Sequence, residues 1–240
     1  MINNNDNEVK KNQDFLSQIP NWEKNYKESD KKYIDFKKKD WKQAQAVFTK
    51  HKLEIFGQPV MEDWEDTYMK KLANIACING GIVLELGYGM GISAKYIQQN
   101  NVTKHIIIEA NHDVAGKARD FAEAATHPIE IMEGFWEDEI LKIPDESLDG
   151  ILFDTYPLSE KELYQNHFFF FPFAYKKLKK GGIFTYYSDE VKDFGEVHLR
   201  KLQESGFKLN NIKGEPFSVT PPKDCKYWQD NTMLAPIIMK

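Results

Sequence analysis

The sequence predicts an α/β protein in which a doubly wound, mostly parallel sheet follows a helical arm. Three observations carry that expectation. From Gly80 onward, short apolar runs alternate with amphipathic segments, the signature of strands connected by crossover helices. The first apolar run, Val83-Leu84-Glu85-Leu86, passes directly into a turn with glycine at every second position, Gly87-Tyr88-Gly89-Met90-Gly91. The first 45 or so residues differ from the rest, being rich in lysine and poor in aliphatics. A chain of 240 residues, 41% hydrophobic, is long enough for one such domain plus an arm.

Residues 1–50 form the arm. The first dozen read as a frayed, solvated end, and charge runs follow at Asp30-Lys31-Lys32 and Lys37-Lys38-Lys39-Asp40. Phe15, Leu16, Ile19, Trp22, Tyr26, Tyr33, Phe36 and Trp41 recur at spacings close to three and four. Such a stripe docks on the body of a protein, here over a pocket. Residues 51–240 carry the sheet. Ile82–Leu86 is the first buried strand, and Ile92–Gln99 is its helix. His105–Glu109 is the second strand, followed by a helix over Asp113–Ala124. Ile129–Met132 makes a third strand and Leu148–Phe153 a fourth, which ends at Asp154. Phe168–Leu178 is helical, Gly181-Gly182 ends that helix, and Ile183–Tyr187 is the fifth strand. A helix over Val197–Ser205 closes at Gly206. Segments Phe207–Ile212, Phe217–Val219 and Met233–Met239 then read as closing strands, with Pro221-Pro222 in the connection. Ligands of such sheets bind outside the carboxyl ends of the strands, so strand-end residues are the site candidates.

Composition narrows the function. A net charge of −5 offers no footprint for nucleic acid, and no apolar run reaches the length of a membrane span. The two cysteines, Cys77 and Cys225, form neither a disulfide framework nor a C-x-x-C pair. With no signal-peptide pattern at the start, a cytoplasmic protein is expected. Six scattered histidines predict no metal site. A monomer and a homodimer are equally compatible with the sequence.

The glycine turn points to a cofactor. Its spacing departs from the G-x-G-x-x-G of dinucleotide sites, which argues against a nicotinamide oxidoreductase. The pattern acid-x-G-x-G-x-G, headed by Glu85, resembles the first motif of class I S-adenosylmethionine-dependent methyltransferases. Glu109 ends the next strand, with Ala110 and Asn111 after it, and a carboxylate there can accept both hydroxyls of a ribose. Glu133-Gly134-Phe135-Trp136-Glu137 follows the third strand, and its two rings suit the flat faces of an adenine. S-adenosyl-L-methionine is the best single ligand.

Two further stretches are distinctive. They are Phe56-Gly57-Gln58-Pro59-Val60-Met61-Glu62-Asp63-Trp64-Glu65-Asp66-Thr67-Tyr68-Met69 and Asp149-Gly150-Ile151-Leu152-Phe153-Asp154-Thr155-Tyr156-Pro157-Leu158-Ser159. With them in view, residues from about 51 to 188 closely resemble the guanidinoacetate N-methyltransferase family, which methylates guanidinoacetate to creatine. The match continues in Pro221-Pro222-Lys223-Asp224-Cys225-Lys226-Tyr227. The resemblance implies a seven-stranded, Rossmann-like class I methyltransferase domain, with S-adenosyl-L-homocysteine as product. It implies that Glu65 and Asp154 grip the acceptor guanidinium, with Asp154 as the base and Tyr156 beside it. Met61, Met69, Glu85, Gly87, Tyr88, Gly89, Met90, Gly91, Glu109, Ala110, Asn111, Phe135, Trp136 and Asp154 fall in cofactor-contacting segments. Trp41 corresponds to an aromatic of the N-terminal lid.

One stretch departs from the family. Creatine-forming members hold the acceptor's carboxylate just after the fifth strand, where this chain has Ser188-Asp189-Glu190-Val191. Two acids beside a carboxylate repel it. The expected acceptor therefore includes guanidines with an amino group that pairs with Asp189 or Glu190, such as arginine or agmatine; the alternative is that the loop folds differently and Ser188 or backbone N–H groups still bind a carboxylate. A protein arginine side chain is a rival acceptor, which a lidded pocket disfavours. A cofactor-binding scaffold without catalysis is the rival of a different class, and it conflicts with the presence of both Glu65 and Asp154.

Overall fold

A computed structural model describes residues 36–159, 162–163 and 165–240. Its centre is a seven-stranded sheet. Five of its strands are parallel: β4 (Gly81–Leu86), β5 (Val102–Glu109), β6 (Ile129–Glu133), β7 (Leu148–Phe153) and β8 (Leu178–Tyr186). β9 (Ile212–Ser218) and β10 (Thr232–Met239), the latter antiparallel to both its neighbours β8 and β9, complete the spatial order β6-β5-β4-β7-β8-β10-β9. Val83–Leu86 and His105–Glu109 are continuously buried, as strands covered on both faces must be. In register, Leu84 lies between Ile106 and Ile151, and Ile151 pairs with Phe184.

Helices cover both faces. On one side α2 (Asp66–Ala76) and α3 (Ile92–Ile97) pack Tyr68, Met69, Leu72 and Ile97 against the sheet. On the other, α6 (Asn166–Lys177) and α7 (Glu196–Glu204) contribute Phe170, Phe171 and Leu202. Between β5 and β6 runs α4 (His112–Glu123), and α5 (Trp136–Glu139) follows β6. No helix among the described residues is long and apolar enough to cross a membrane.

A second, three-stranded antiparallel sheet precedes the main one: β1 (Ala46–Phe48), β2 (Lys52–Ile55) and β3 (Gln58–Glu62). Phe56 and Gly57 both have positive φ and join β2 to β3 in a two-residue hairpin turn. This sheet was not foreseen, because its strands are three to five residues long and only partly buried. The β1–β2 pair also straddles residue 50, so the boundary between arm and domain expected there falls inside a hairpin.

Of the arm, the structure describes residues from Phe36 onward. Phe36 donates its N–H to the carbonyl of Leu158 at 2.7 Å, and its ring stacks on Phe56. Helix α1 (Lys38–Gln43) buries Trp41, which stacks on Tyr156 with centroids 4.8 Å apart. Phe15, Leu16, Ile19, Trp22, Tyr26 and Tyr33 lie outside the described residues.

Two expected elements are corrected. Gly181-Gly182 does not end the long helix: α6 stops at Lys177, and both glycines lie within β8. Gly181 takes φ +82° there, and its N–H is paired with the carbonyl of Lys240. Nor is Phe207–Ile212 a strand. Phe207 is a core side chain, a 3-10 turn occupies Leu209–Asn211, and β9 begins only at Ile212.

Candidate active site

The carboxyl ends of the parallel strands open into one cavity of about 570 Å³. In the order of the strands, its wall carries Phe135 and Trp136 after β6, Glu109 ending β5, Gly87 and Gly89 after β4, Asp154 after β7, and Tyr187 and Asp189 after β8. Trp41, Met61, Glu65, Ala110 and Tyr156 complete the set of expected residues that line it.

The glycine turn is shaped by its neighbours. Gly87 has φ +85°, and a Cβ on it would stand 1.9 Å from the carbonyl oxygen of Asp154. A Cβ on Gly89 would stand 2.8 Å from Sδ of Met61, which also accepts the N–H of Met90 at 3.3 Å. The turn is bare backbone because β7 and Met61 occupy the space side chains would need. Glu109 accepts the N–H of Tyr88 on Oε2 at 2.9 Å and that of Asn111 on Oε1 at 2.8 Å. Burial raises its carboxyl pKa, and these backbone donors oppose the rise. The backbone N–H groups of Ala110 and Gly89 also act on this carboxylate, so the turn and the strand end hold it in place. Trp136 is held edge-on to Phe153, Phe170 and Phe173.

The other end of the cavity is acidic. Glu65, only 2% exposed, closes the 3-10 turn Asp63–Glu65 ahead of α2. Tyr227 Oη donates to its Oε1 at 2.6 Å, and Trp64 Nε1 donates to Glu62 Oε2 at 2.9 Å beside it. Burial and then Asp154 push the Glu65 carboxyl well above the usual range, against the Tyr227 bond. Asp154 is raised to about 7 by burial and by Glu85. Asp189 is also raised to about 7, by burial, then Glu190, then Asp154. Behind Asp189, His167 Nδ1 lies 3.8 Å from Oδ2, its own pKa driven well down by burial and by His198.

Eight expected residues stand off this wall. Met69 is a core side chain of α2. Glu85 is fully buried, bonded to Ser93 Oγ and 3.0 Å from His105 Nε2. The ring of Tyr88 folds over Gly91 toward Phe121, so only its backbone reaches Glu109. Met90 packs between core clusters, and Gly91 caps α3 at φ +74°. Asn111 caps α4, accepting the N–H groups of Asp113 and Val114. Its amide also donates to the carbonyls of Trp41 and Ala44, which seats α1. Ser188 is buried and accepts the N–H of Glu190, whose carboxylate turns to Gly195 N and to His198 Nδ1 at 3.3 Å. Tyr187, Tyr227 and Trp228 line the cavity and were missed. The Pro221–Tyr227 motif was the available signal for Tyr227, but its reach to Glu65 depends on the whole β9–β10 connection.

A family model, guanidinoacetate N-methyltransferase, matches residues 32–240. The chain belongs to the guanidinoacetate N-methyltransferase family. It is thereby a member of a family of S-adenosylmethionine-dependent methyltransferases. Among curated relatives, it is 32% identical over 136 residues to protein arginine N-methyltransferase 2 of Candida glabrata, covering 54% of this chain and 32% of that protein. The chain thus spans about a third of the length of that relative. The fold is similar to spermidine synthase from Thermotoga maritima, with a TM-score of 0.57 and 16% identity over 81% of this chain and 72% of that one. It is also similar to a SAM dependent methyltransferase from Archaeoglobus fulgidus, with a TM-score of 0.52 and 14% identity over 73% and 92%. These two likenesses bear on the fold, which is the class I family's.

Proposed function

We propose that this member of the family transfers a methyl group from S-adenosyl-L-methionine to the guanidino group of a small molecule, leaving S-adenosyl-L-homocysteine. The observation that carries this reading is the convergence of Glu65 and Asp154 on one cavity, beside the glycine turn. A guanidinium presents a planar fork of N–H donors, and carboxylates match that fork bidentately. Among the described residues, the cavity wall has one lysine, Lys38, which is paired with Glu137 at 2.7 Å over the Phe135 ring. The acceptor end therefore favours a cation.

The opposite end fits an adenosine. Glu109 offers a carboxylate held by backbone donors at the cavity wall, Phe135 and Trp136 offer rings, and Gly87 and Gly89 offer bare backbone. The cofactor supplies an electrophilic methyl group on a positively charged sulfur. The chain's own residues supply orientation and a proton acceptor. Glu65, fixed through one oxygen by Tyr227, holds the guanidinium. The nitrogen that becomes methylated gives up one proton, and Asp154 takes it, so a pKa near neutrality suits its task. Trp41 and Tyr156 cover the cavity and exclude water.

The test is incubation with S-adenosylmethionine and guanidinoacetate, arginine, agmatine or 4-guanidinobutyrate, with products read by mass spectrometry. Methylation of at least one is expected. Normal S-adenosylhomocysteine binding with no methylated guanidine would leave a non-catalytic scaffold instead. The names of the curated relatives favour a second reading, an arginine side chain within a protein. Including an arginine-containing peptide in the same assay separates the two, and the covering Trp41 predicts that free guanidines win.

A further inference from the structure

The methyl-transfer reading uses Glu65 and Asp154 and leaves Asp189 without a task, although it lines the same cavity. It follows β8, the strand next to β7, and so lies on the side of Asp154 away from the glycine turn. The charged and titratable groups that face it are Glu190 beside it, Asp154 from β7, His167 of α6 at 3.8 Å, and Tyr68, Tyr186 and Tyr187. His167 is kept neutral by burial, so none of these supplies a positive charge. The hydroxyl of Tyr187, on the same stretch of wall, is buried without a hydrogen-bond partner and can accept from an N–H donor. Lys38 sits by β6, four strand steps from β8, roughly 19 Å at the usual strand spacing. Among the described residues, six lining acids (Glu65, Glu109, Glu137, Asp154, Glu162 and Asp189) therefore face one distant lysine.

A guanidine with a carboxylate tail would bring that carboxylate toward Asp189 with no cation to receive it. We propose that Asp189 reads a second positive charge, so that the preferred acceptors are guanidines whose other end carries an amine. Of the two acids at 189–190, only Asp189 can do this, because Glu190 is committed to Gly195 N and His198. The inference rests on the guanidino N-methyltransferase reading and specifies its substrate class.

The experiment measures kcat/KM with S-adenosylmethionine for agmatine, butylguanidine and 4-guanidinobutyrate, which share a guanidine and differ in tail charge. Wild-type protein and Asp189→Asn are compared, with S-adenosylhomocysteine affinity as the check on folding. Agmatine should exceed 4-guanidinobutyrate by on the order of tenfold or more, with butylguanidine between them. Asp189→Asn should shrink that ratio to within about threefold while S-adenosylhomocysteine affinity is kept. A wild-type preference for 4-guanidinobutyrate, or a ratio unchanged by Asp189→Asn, overturns the proposal and leaves guanidine methylation standing. Failure of all three guanidines, with the product still bound, overturns the guanidine reading and this inference together.

Discussion

In the proposed methyl transfer, Asp154 carries two demands that conflict in water. It must be ionised to pair with a guanidinium, yet basic enough to take a proton from one. Burial and Glu85 raise it to about 7, which places both tasks near neutral pH. Below that value the carboxyl holds its proton and can do neither. We expect kcat/KM to rise with pH through about 7. Asp154→Asn should reduce kcat by about 10²- to 10⁴-fold, with S-adenosylhomocysteine affinity preserved. For an amine-tailed acceptor the acid limb should be steeper than one proton requires, because Asp189 titrates in the same range. Tyr227 acts one step removed. Its 2.6 Å bond fixes Oε1 of Glu65 and opposes protonation of a buried acid. Tyr227→Phe should raise the acceptor's KM by about tenfold or more, the usual worth of a hydrogen bond to a charged group. Cofactor affinity measured by calorimetry should stay unchanged, which separates loss of positioning from loss of fold.

At the scale of elements, the carboxyl edge of the sheet sets the order of the site, and the turn after β4 sets its depth. Gly87→Ala would thrust a Cβ to 1.9 Å from the Asp154 carbonyl at φ +85°. That should abolish S-adenosylhomocysteine binding and lower the melting temperature. Gly116, inside α4, is the control. A Cβ there meets nothing within 4 Å, so Gly116→Ala should stabilise by about 1 kcal/mol through helix propensity. The five parallel strands were legible because their buried runs and turn residues stand out locally. The strand-end residues Glu109 and Asp154 were legible for the same reason, whereas Asp189 stood out only as a departure from the family's pattern. Side-chain direction was not. Glu85 faces Ser93 and His105, and Glu190 is drawn away by His198 of α7, a partner that no local pattern reveals. Gly181-Gly182 read as a helix stop although Lys177 already ends the helix, since glycine marks any break in side-chain packing.

For the whole molecule, gathering Glu65, Asp154 and Asp189 around one cavity ties stability to pH. Burial and neighbouring acids raise Asp154 and Asp189 from the ordinary 3.8 to about 7 in the native state. Between those limits the native state holds protons that the unfolded chain has released, so stability falls as pH rises from about 4 to about 7. Glu65 acts in the same direction. His167 and His198 act oppositely. Their lowered pKa values mean that the unfolded chain binds the extra proton, so their contribution grows with pH and is complete above about 6.5. Glu133 and Asp145, whose pKa values are lowered by His112 and Lys177 respectively, add stability that is already in place above about 4.5. A melting curve of the wild type alone mixes these opposing slopes, whereas the difference between Asp154→Asn and wild type isolates one of them. That difference should be small near pH 4, grow to the order of 5 °C by pH 7, and level off above it. Adding agmatine to the wild type at pH 8 should recover part of the gap, because a bound cation relieves the repulsion that the substitution removes. A difference that stays flat from pH 4 to pH 8 would mean that Asp154 is not held as a strained acid, and its role as the proton acceptor would lose its physical basis.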